Sequence, residues 1–359
     1  MVGADGKPAL PWLAEPLQRA LREQRSHALL VHGPSGVGQF ELALGLAQGW
    51  LCEVDDSPSD EGGEGGEPAR RPCGHCAACH LVRARSHPDL LVLVPEALRA
   101  ALGWEPDGDA DDADKASKAK PSKEIKVDAV RAAVAFAQTT SARGRAKVVV
   151  LHPAERMNGI SANTLLKTLE EPPGAARFVL SSGAPDALLP TIRSRCQAVT
   201  LPLPETGVAA EWLRAQGVAD PALLLAAAGG QPQDALAWSR DGVVDAALWA
   251  QLPALVARGA TGALTGWPLP LLIDSLLKLC HDVLCAAAGA APRYFPAHSI
   301  TGLQLGPGAT APLHAWQREL QRTARHAEHP WNAGLLTESL VEQGRAALTP
   351  TRARAAAKA

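Results

Sequence analysis

The sequence predicts a parallel α/β domain followed by helical domains. Three observations predict it. Up to about residue 203, short apolar strands alternate with helical stretches; a glycine-rich loop separates the first strand from its helix; and beyond 204 the chain becomes Ala- and Leu-rich with helical periodicity. A chain of 359 residues, 47% hydrophobic and 20% charged, holds two or three domains at ~100–200 residues each.

In chain order, residues 12–27 carry Trp12, Leu13, Leu17, Ala20 and Leu21 at helical spacing. Residues 28–31 form an apolar strand that runs into the glycine loop, and 41–51 read as the following helix. Residues 89–94 are a buried-type strand, Val127–Gln138 an amphipathic helix and Lys147–Leu151 a strongly apolar strand. A helix over 161–171 is stopped by Pro172-Pro173-Gly174, and 177–182 are a further strand. Two acidic or mixed-charge stretches, 53–72 and 105–123, have the composition of disordered insertions. The expected domains are 1–203, a small helical domain at 204–244, and a helical C-terminal domain at 245–359 with a frayed tail after Thr349.

A formal net charge of −2 and a pI of about 6.6 exclude coating of nucleic acid by bulk charge, so any such contact has to be local. No uninterrupted apolar run approaches the ~18 residues of a membrane span, and the N-terminus lacks the pattern of a secretory leader. A cytoplasmic protein is expected, with its seven cysteines reduced or metal-bound.

The segment His32-Gly33-Pro34-Ser35-Gly36-Val37-Gly38-Gln39-Phe40 has the outline of a phosphate loop. Such a loop needs glycines so that backbone N–H groups can cradle phosphate, then a Lys for the β/γ-phosphates and a hydroxyl for Mg²⁺. Gly33, Gly36 and Gly38 remain, but Gln39 and Phe40 occupy the two chemical positions. Read alone, the segment is also compatible with an ordinary tight turn; the strand–loop–helix order favours the phosphate loop. In a working ATPase an Asp for Mg²⁺ and a Glu that polarises water stand at the end of a further apolar strand. Here Lys147–Leu151 is followed by His152-Pro153. Two lesions in one pocket predict that the chain does not hydrolyse ATP and needs no ATP or Mg²⁺ of its own.

Cys73-Gly74-His75-Cys76-Ala77-Ala78-Cys79 has C-x-x-C-x-x-C spacing, and Cys52 stands one insertion upstream. Four thiolates suit a tetrahedral, closed and therefore structural Zn²⁺ site. His75 and His80 are rival ligands, and free thiols or an iron–sulfur cluster are the other readings. Ser194-Arg195-Cys196 is weak evidence by itself, since a lone Arg is most often a surface residue. An Arg at the start of a short element can also reach a neighbour's γ-phosphate as an arginine finger.

The string Asn163 to Pro173 (NTLLKTLEEPP) resembles a signature of sliding-clamp-loader subunits, and Leu189 to Cys196 (LPTIRSRC) resembles their SRC motif. With the glycine loop, the cysteine knuckle and Ser86-His87-Pro88-Asp89, these segments are similar to the delta-prime family of bacterial DNA polymerase III clamp loaders, within the AAA+ ATPases. The resemblance is dense over about 10–200 and thin beyond it. It implies an AAA+ domain, a small helical lid and an all-α C-terminal collar. It further implies assembly with delta and with gamma or tau subunits in a heteropentamer that places the β sliding clamp on primed DNA. Arg195 would be the trans arginine finger, with Ser194 orienting its loop and Cys196 packed behind it. The ATP-hydrolysing relatives carry a further Arg where this chain has Gln233, a third lesion in the same sense. The two insertions are not typical of the family. The competing readings are an independent ATPase, which Gln39, Phe40, His152 and Pro153 oppose, and a zinc-knuckle nucleic-acid binder, suggested by Arg70, Arg71, Arg83 and Arg85 near the knuckle.

Overall fold

The computed structural model describes residues 1–54, 71–104, 121–303, 308–327, 329 and 331–349. Most of the two expected insertions and the tail after Thr349 lie outside the described residues. Chain contacts divide the molecule into two units, Met1–Val208 and the remainder from Ala209.

The first unit is built on five parallel strands: β1 (Ala28–His32), β2 (Leu90–Leu93), β3 (Lys147–Leu151), β4 (Ala176–Ser182) and β5 (Gln197–Thr200), in the order β2-β3-β4-β1-β5. All five residues of β3 are buried, as are four of five in β1. Such unbroken burial is expected of a parallel sheet covered on both faces. Leu30 pairs with Leu180 and Val149 with Phe178, which aligns the apolar runs in register. Among the described residues, seven helices surround the sheet: α1 (Ala14–Glu23), α2 (Gln39–Leu51), α3 (Ala77–Arg83), α4 (Glu96–Leu102), α5 (Val127–Gln138), α6 (Gly159–Glu170) and α7 (Pro190–Arg193). On one face Val130 of α5 and Leu165 and Leu169 of α6 close over Val149, Leu151 and Phe178. The Asn158 side chain caps α6 by accepting from Ser161 N at 3.0 Å.

The predicted parallel α/β fold is therefore present, with two adjustments. The helix expected over 12–27 is a 3₁₀ turn, Pro11–Leu13, running into α1, which ends at Glu23. Strand β5 was not anticipated. It has four residues, pairs on one side only, and exposes three of the four, so it lacks the apolar run that marks the others.

One buried ion pair organises the N-terminal edge of this sheet. Asp89, just before β2, is fully buried and accepts from Ala142 N (2.7 Å), Arg143 N (2.9 Å) and Ser141 Oγ (2.9 Å). Lys147 Nζ lies 3.0 Å away and sits over the Phe136 ring. Burial pushes the Asp89 carboxyl up, but these donors together hold it below its ordinary value.

The second unit is helical, from α8 (Thr206–Ala215, which begins just before the boundary) through α9 (Pro221–Ala227), α10 (Pro232–Asp241), α11 (Ala246–Arg258), α12 (Leu269–Ala287), α13 (Ala297–Thr301), α14 (Thr310–Ala324) and α15 (Ala333–Leu348). One apolar core containing Trp249, Leu276, Leu279, Trp316 and Leu340 runs through it. The Trp249 and Phe295 rings stack at 4.5 Å. Buried Asp282 accepts the N–H groups of Arg293, Tyr294 and Phe295 at 2.7–2.9 Å, which fixes the segment before α13. No helix among the described residues is long and apolar enough to cross a membrane.

Candidate functional site: a closed phosphate loop, a thiol cluster and a tethered arginine

The loop after β1 keeps the backbone of a phosphate cradle. Gly38 caps α2 with φ of +102°, and a Cβ there would stand 2.5 Å from Leu10 Cδ1. A Cβ on Gly33 would collide with the Leu201 carbonyl. Both positions therefore require glycine. Gly36 also has a positive φ, of +68°. Trp12 Nε1 donates to Val37 O at 2.8 Å, and buried Leu10 and Leu13 close over the loop.

The chemical positions are filled by groups that satisfy the protein itself. Gln39 is buried; its side-chain amide donates to Gly33 O at 2.9 Å and to Pro34 O. It thus caps loop carbonyls where a Lys would offer a charge. The rings of Phe40 and His152 stack with centroids 4.6 Å apart and 24° between planes, and Trp104 meets Phe40 edge-on at 6.4 Å. The residue in the Mg²⁺-hydroxyl position and the residue in the acidic position are therefore packed against each other. Mg²⁺ demands oxygen ligands in octahedral array, and two stacked rings provide none. Burial alone pushes the His152 pKa down to about 4, so the imidazole is neutral at pH 7, with Nδ1 2.9 Å from Ser181 Oγ. Pro153 opens the short turn Ala154–Arg156. Gln233, half-buried in the first turn of α10, belongs to the second unit.

The depressed His152 pKa has a measurable consequence. Between 6.5 and about 4 the unfolded chain binds a proton that the folded chain excludes, so stability falls as the pH drops through this window. At ~1.4 kcal/mol per unit the loss is on the order of 3 kcal/mol. Urea unfolding of His152→Phe, compared with wild type from pH 7 to 4, should show a flatter decline in the variant; parallel declines would contradict the buried neutral ring.

The four cysteines converge. Cys52, at the end of α2, and Cys73, Cys76 and Cys79 place all four sulfurs within 4.8 Å of one another. Cys52–Cys76 and Cys73–Cys79 are each 3.9 Å apart. A tetrahedron with ~2.3 Å metal–sulfur bonds has edges of about 3.8 Å, so the cluster has the size of a closed four-sulfur site. Cys76 N and Cys79 N donate to the sulfurs of Cys73 and Cys76 at 3.3 and 3.4 Å, the local bonds that shape a knuckle. The Cys52 thiol is brought down to about 4, the hydrogen bond from Cys79 being the largest cause, while Cys79 is raised by the same contact. The rival ligands His75 and His80 are exposed and stand outside the cluster.

Arg195 follows α7 and the Ser194 cap. Its Nε donates to Glu170 Oε1 at 2.6 Å, and Nη2 donates to the same oxygen. Nη1 donates to Thr191 O at 2.9 Å and reaches Ser194 Oγ at 3.4 Å. Both partners of the ion pair remain partly exposed, at 30% and 47%. Behind them Cys196 packs on the core, where burial pushes its thiol up to about 12. Glu170 closes the helix that carries the NTLLKTLEEPP string. Its contact with Arg195 was not legible in the sequence, because the two lie 25 residues apart.

Residues 11–205 match the family model described as DNA polymerase III, delta subunit. The DNA polymerase III subunit delta' of Pseudomonas aeruginosa is 37% identical over 301 residues, covering 81% of this chain and 80% of that protein. The chain belongs to the bacterial DNA polymerase III delta' family. The delta' subunit of Escherichia coli K12 is 30% identical over 289 residues, covering 75% of this chain and 76% of its own length. The tau subunit of the same strain is 31% identical over 170 residues, which is 47% of this chain and 20% of tau. The family match spans the phosphate loop, all four clustered cysteines and Arg195, and leaves the whole of the second unit outside it.

Proposed function

We propose that this chain is a non-hydrolysing subunit of the bacterial sliding-clamp loader, which assembles with delta and gamma or tau subunits and presents Arg195 to ATP held by a neighbour. The observation that carries this reading is the Phe40–His152 stack in the metal position of its own phosphate loop, together with an Arg195 that stays partly exposed elsewhere on the same unit. A pocket closed in this way has no use for nucleotide chemistry, yet its architecture is kept. A rigid scaffold with a guanidinium on its surface is what a trans finger requires. In this reading 204–244 form a lid, 245–359 form the collar through which the heteropentamer assembles, and the complex places the β clamp on primed DNA. Relatives named delta' and tau support that assignment.

The direct test is reconstitution. The isolated chain should bind no labelled ATP with Mg²⁺ at micromolar concentration and should show no turnover. Added to gamma or tau and delta with clamp and primed DNA, it should raise their ATP turnover. Turnover by the isolated chain, or no gain in the assembly, would contradict the proposal.

The thiol cluster is assigned to Zn²⁺ in a bracing role, on its four-sulfur geometry and closed surroundings. Purified protein should contain one equivalent of zinc, and Cys79→Ser should lose it together with several degrees of thermal stability. Full stability without metal would remove the bracing role.

A further inference from the structure

A cavity of about 570 Å³ opens between the N-terminal turn, α2, the end of α3 and α4. Its walls are held from several sides. Val2 and Pro8 pair across the turn. Buried Gln48 of α2 clamps the Val2 backbone, accepting its N–H at 2.7 Å and donating to its carbonyl at 3.1 Å. The turn also rests on the cysteine knuckle, so closely that a Cβ on Gly74 would collide with Gly3 O. Val2, Pro8, Phe40, Leu44, Leu102 and Trp104 supply the apolar lining.

Three cations stand in this lining: Lys7 from the turn, Arg83 at the end of α3, and Arg85 just beyond it. Arg83 Nη1 donates to Gly74 O at 3.0 Å, and Arg85 lies over the Trp104 ring at 5.5 Å. None of the three pairs with a carboxylate among the described residues. The lining also holds Asp5 and Glu41. Asp5 accepts the Lys7 N–H at 3.1 Å within the turn. Burial holds the Met1 ammonium below its ordinary value, and the charge of Glu41 works against that shift. Arg85 has a φ of +61°, a left-handed conformation that a non-glycine residue adopts at a cost.

We propose that this cavity seats an acidic peptide segment of a partner protein, anchored by one bulky apolar side chain. A preformed, mostly apolar hollow of this size suits an inserted side chain. Trp and Arg are among the residues that carry most of the energy at protein interfaces. The three cations match acids that flank the anchor, which gives register and steering. A nucleotide fits less well, because the described lining has no Ser, Thr, Asn, Gln or His side chain to meet the polar edge of a base. The cavity meets the phosphate loop at Phe40 and does not depend on the finger role of Arg195.

The test uses the full chain and a short fluorescein-labelled peptide of Asp and Glu around a central Phe, followed by anisotropy. Replacing the Phe of the peptide by Ser should weaken binding about tenfold or more, the effect of burying one large apolar side chain. Lys7→Glu, an exposed change, should weaken binding at least about fivefold and reduce its dependence on salt. Arg85→Gly should act in the same direction with a melting temperature close to wild type, because glycine adopts a φ of +61° without strain. Arg318→Glu, an equal charge change at an exposed position of the second unit, should bind as wild type. No binding at about 1 mM peptide, equal binding of the Phe and Ser peptides, unchanged affinity in both cavity variants, or an equal loss in Arg318→Glu would each overturn the assignment. Oligothymidylate bound in place of the peptide, and lost in Lys7→Glu, would also overturn it, by making the ligand a nucleic acid.

Discussion

Arg195→Ala should leave the reconstituted complex assembled while hydrolysis at the site served by this chain falls about 10³-fold or more. The reason lies in competing magnitudes. In the structure Arg195 is paired with Glu170, and the pair is partly exposed. Such a surface ion pair is worth ~0.2–1 kcal/mol. A factor of 10³ in rate corresponds to about 4 kcal/mol of transition-state stabilisation. Glu170 can therefore hold the guanidinium ready without preventing its transfer to a γ-phosphate. Arg195→Lys should recover little, because an ammonium lacks the planar fork that spans two oxygens. Single-turnover hydrolysis with clamp and primed DNA reads the effect. A variant that assembles and hydrolyses like wild type removes the finger role, whatever becomes of the closed pocket.

The second large effect concerns stability. Asp89→Ala should cost about 3–5 kcal/mol, because it deletes an acceptor used by three other groups and leaves Lys147, only 8% exposed, as an unpaired charge. For a unit of this size that is a fall in Tm of roughly 10 °C or more. The loss should spread to the cysteine knuckle. Arg143, whose N–H binds Asp89, pairs with Glu53 at 2.5 Å, and Glu53 also accepts from Ala78 N at 3.3 Å. Zinc content and thermal melting of the full chain should fall together. A loss below about 1 kcal/mol would mean that the Ser141–Arg143 turn is held by something else. Acid should mimic the substitution. The carboxyl is held below its ordinary value of 3.8, so its contribution is complete above that pH and is lost as the pH falls through the folded value.

Some of this was legible in the residues. Gln39 and Phe40 are written in the loop itself, and their inability to serve phosphate and Mg²⁺ follows from residue type. The sequence did not show that Phe40 and His152, 112 residues apart, would stack on each other and so turn two separate lesions into one closed surface. The cysteines were readable because C-x-x-C spacing builds a knuckle from local N–H···S bonds. Cys52 was a harder inference, since its place depends on where α2 ends. Strand β5 escaped because an edge strand with one paired side does not need an apolar run. Asp89 stood within a recognised tetrapeptide, but its three acceptor contacts come from a turn more than 50 residues away.

The central claim is that Arg195 leaves Glu170 for a phosphate on a neighbouring subunit. A structure of the assembled complex with clamp, primed DNA and a non-hydrolysable ATP analogue tests it most directly. The Arg195 guanidinium should lie within hydrogen-bonding distance of the neighbour's γ-phosphate, with Phe40 and His152 still stacked and no nucleotide in this chain's own loop. Arg195 still paired with Glu170 in a hydrolysis-ready state, or nucleotide seated at Gly33–Gly38, would contradict it.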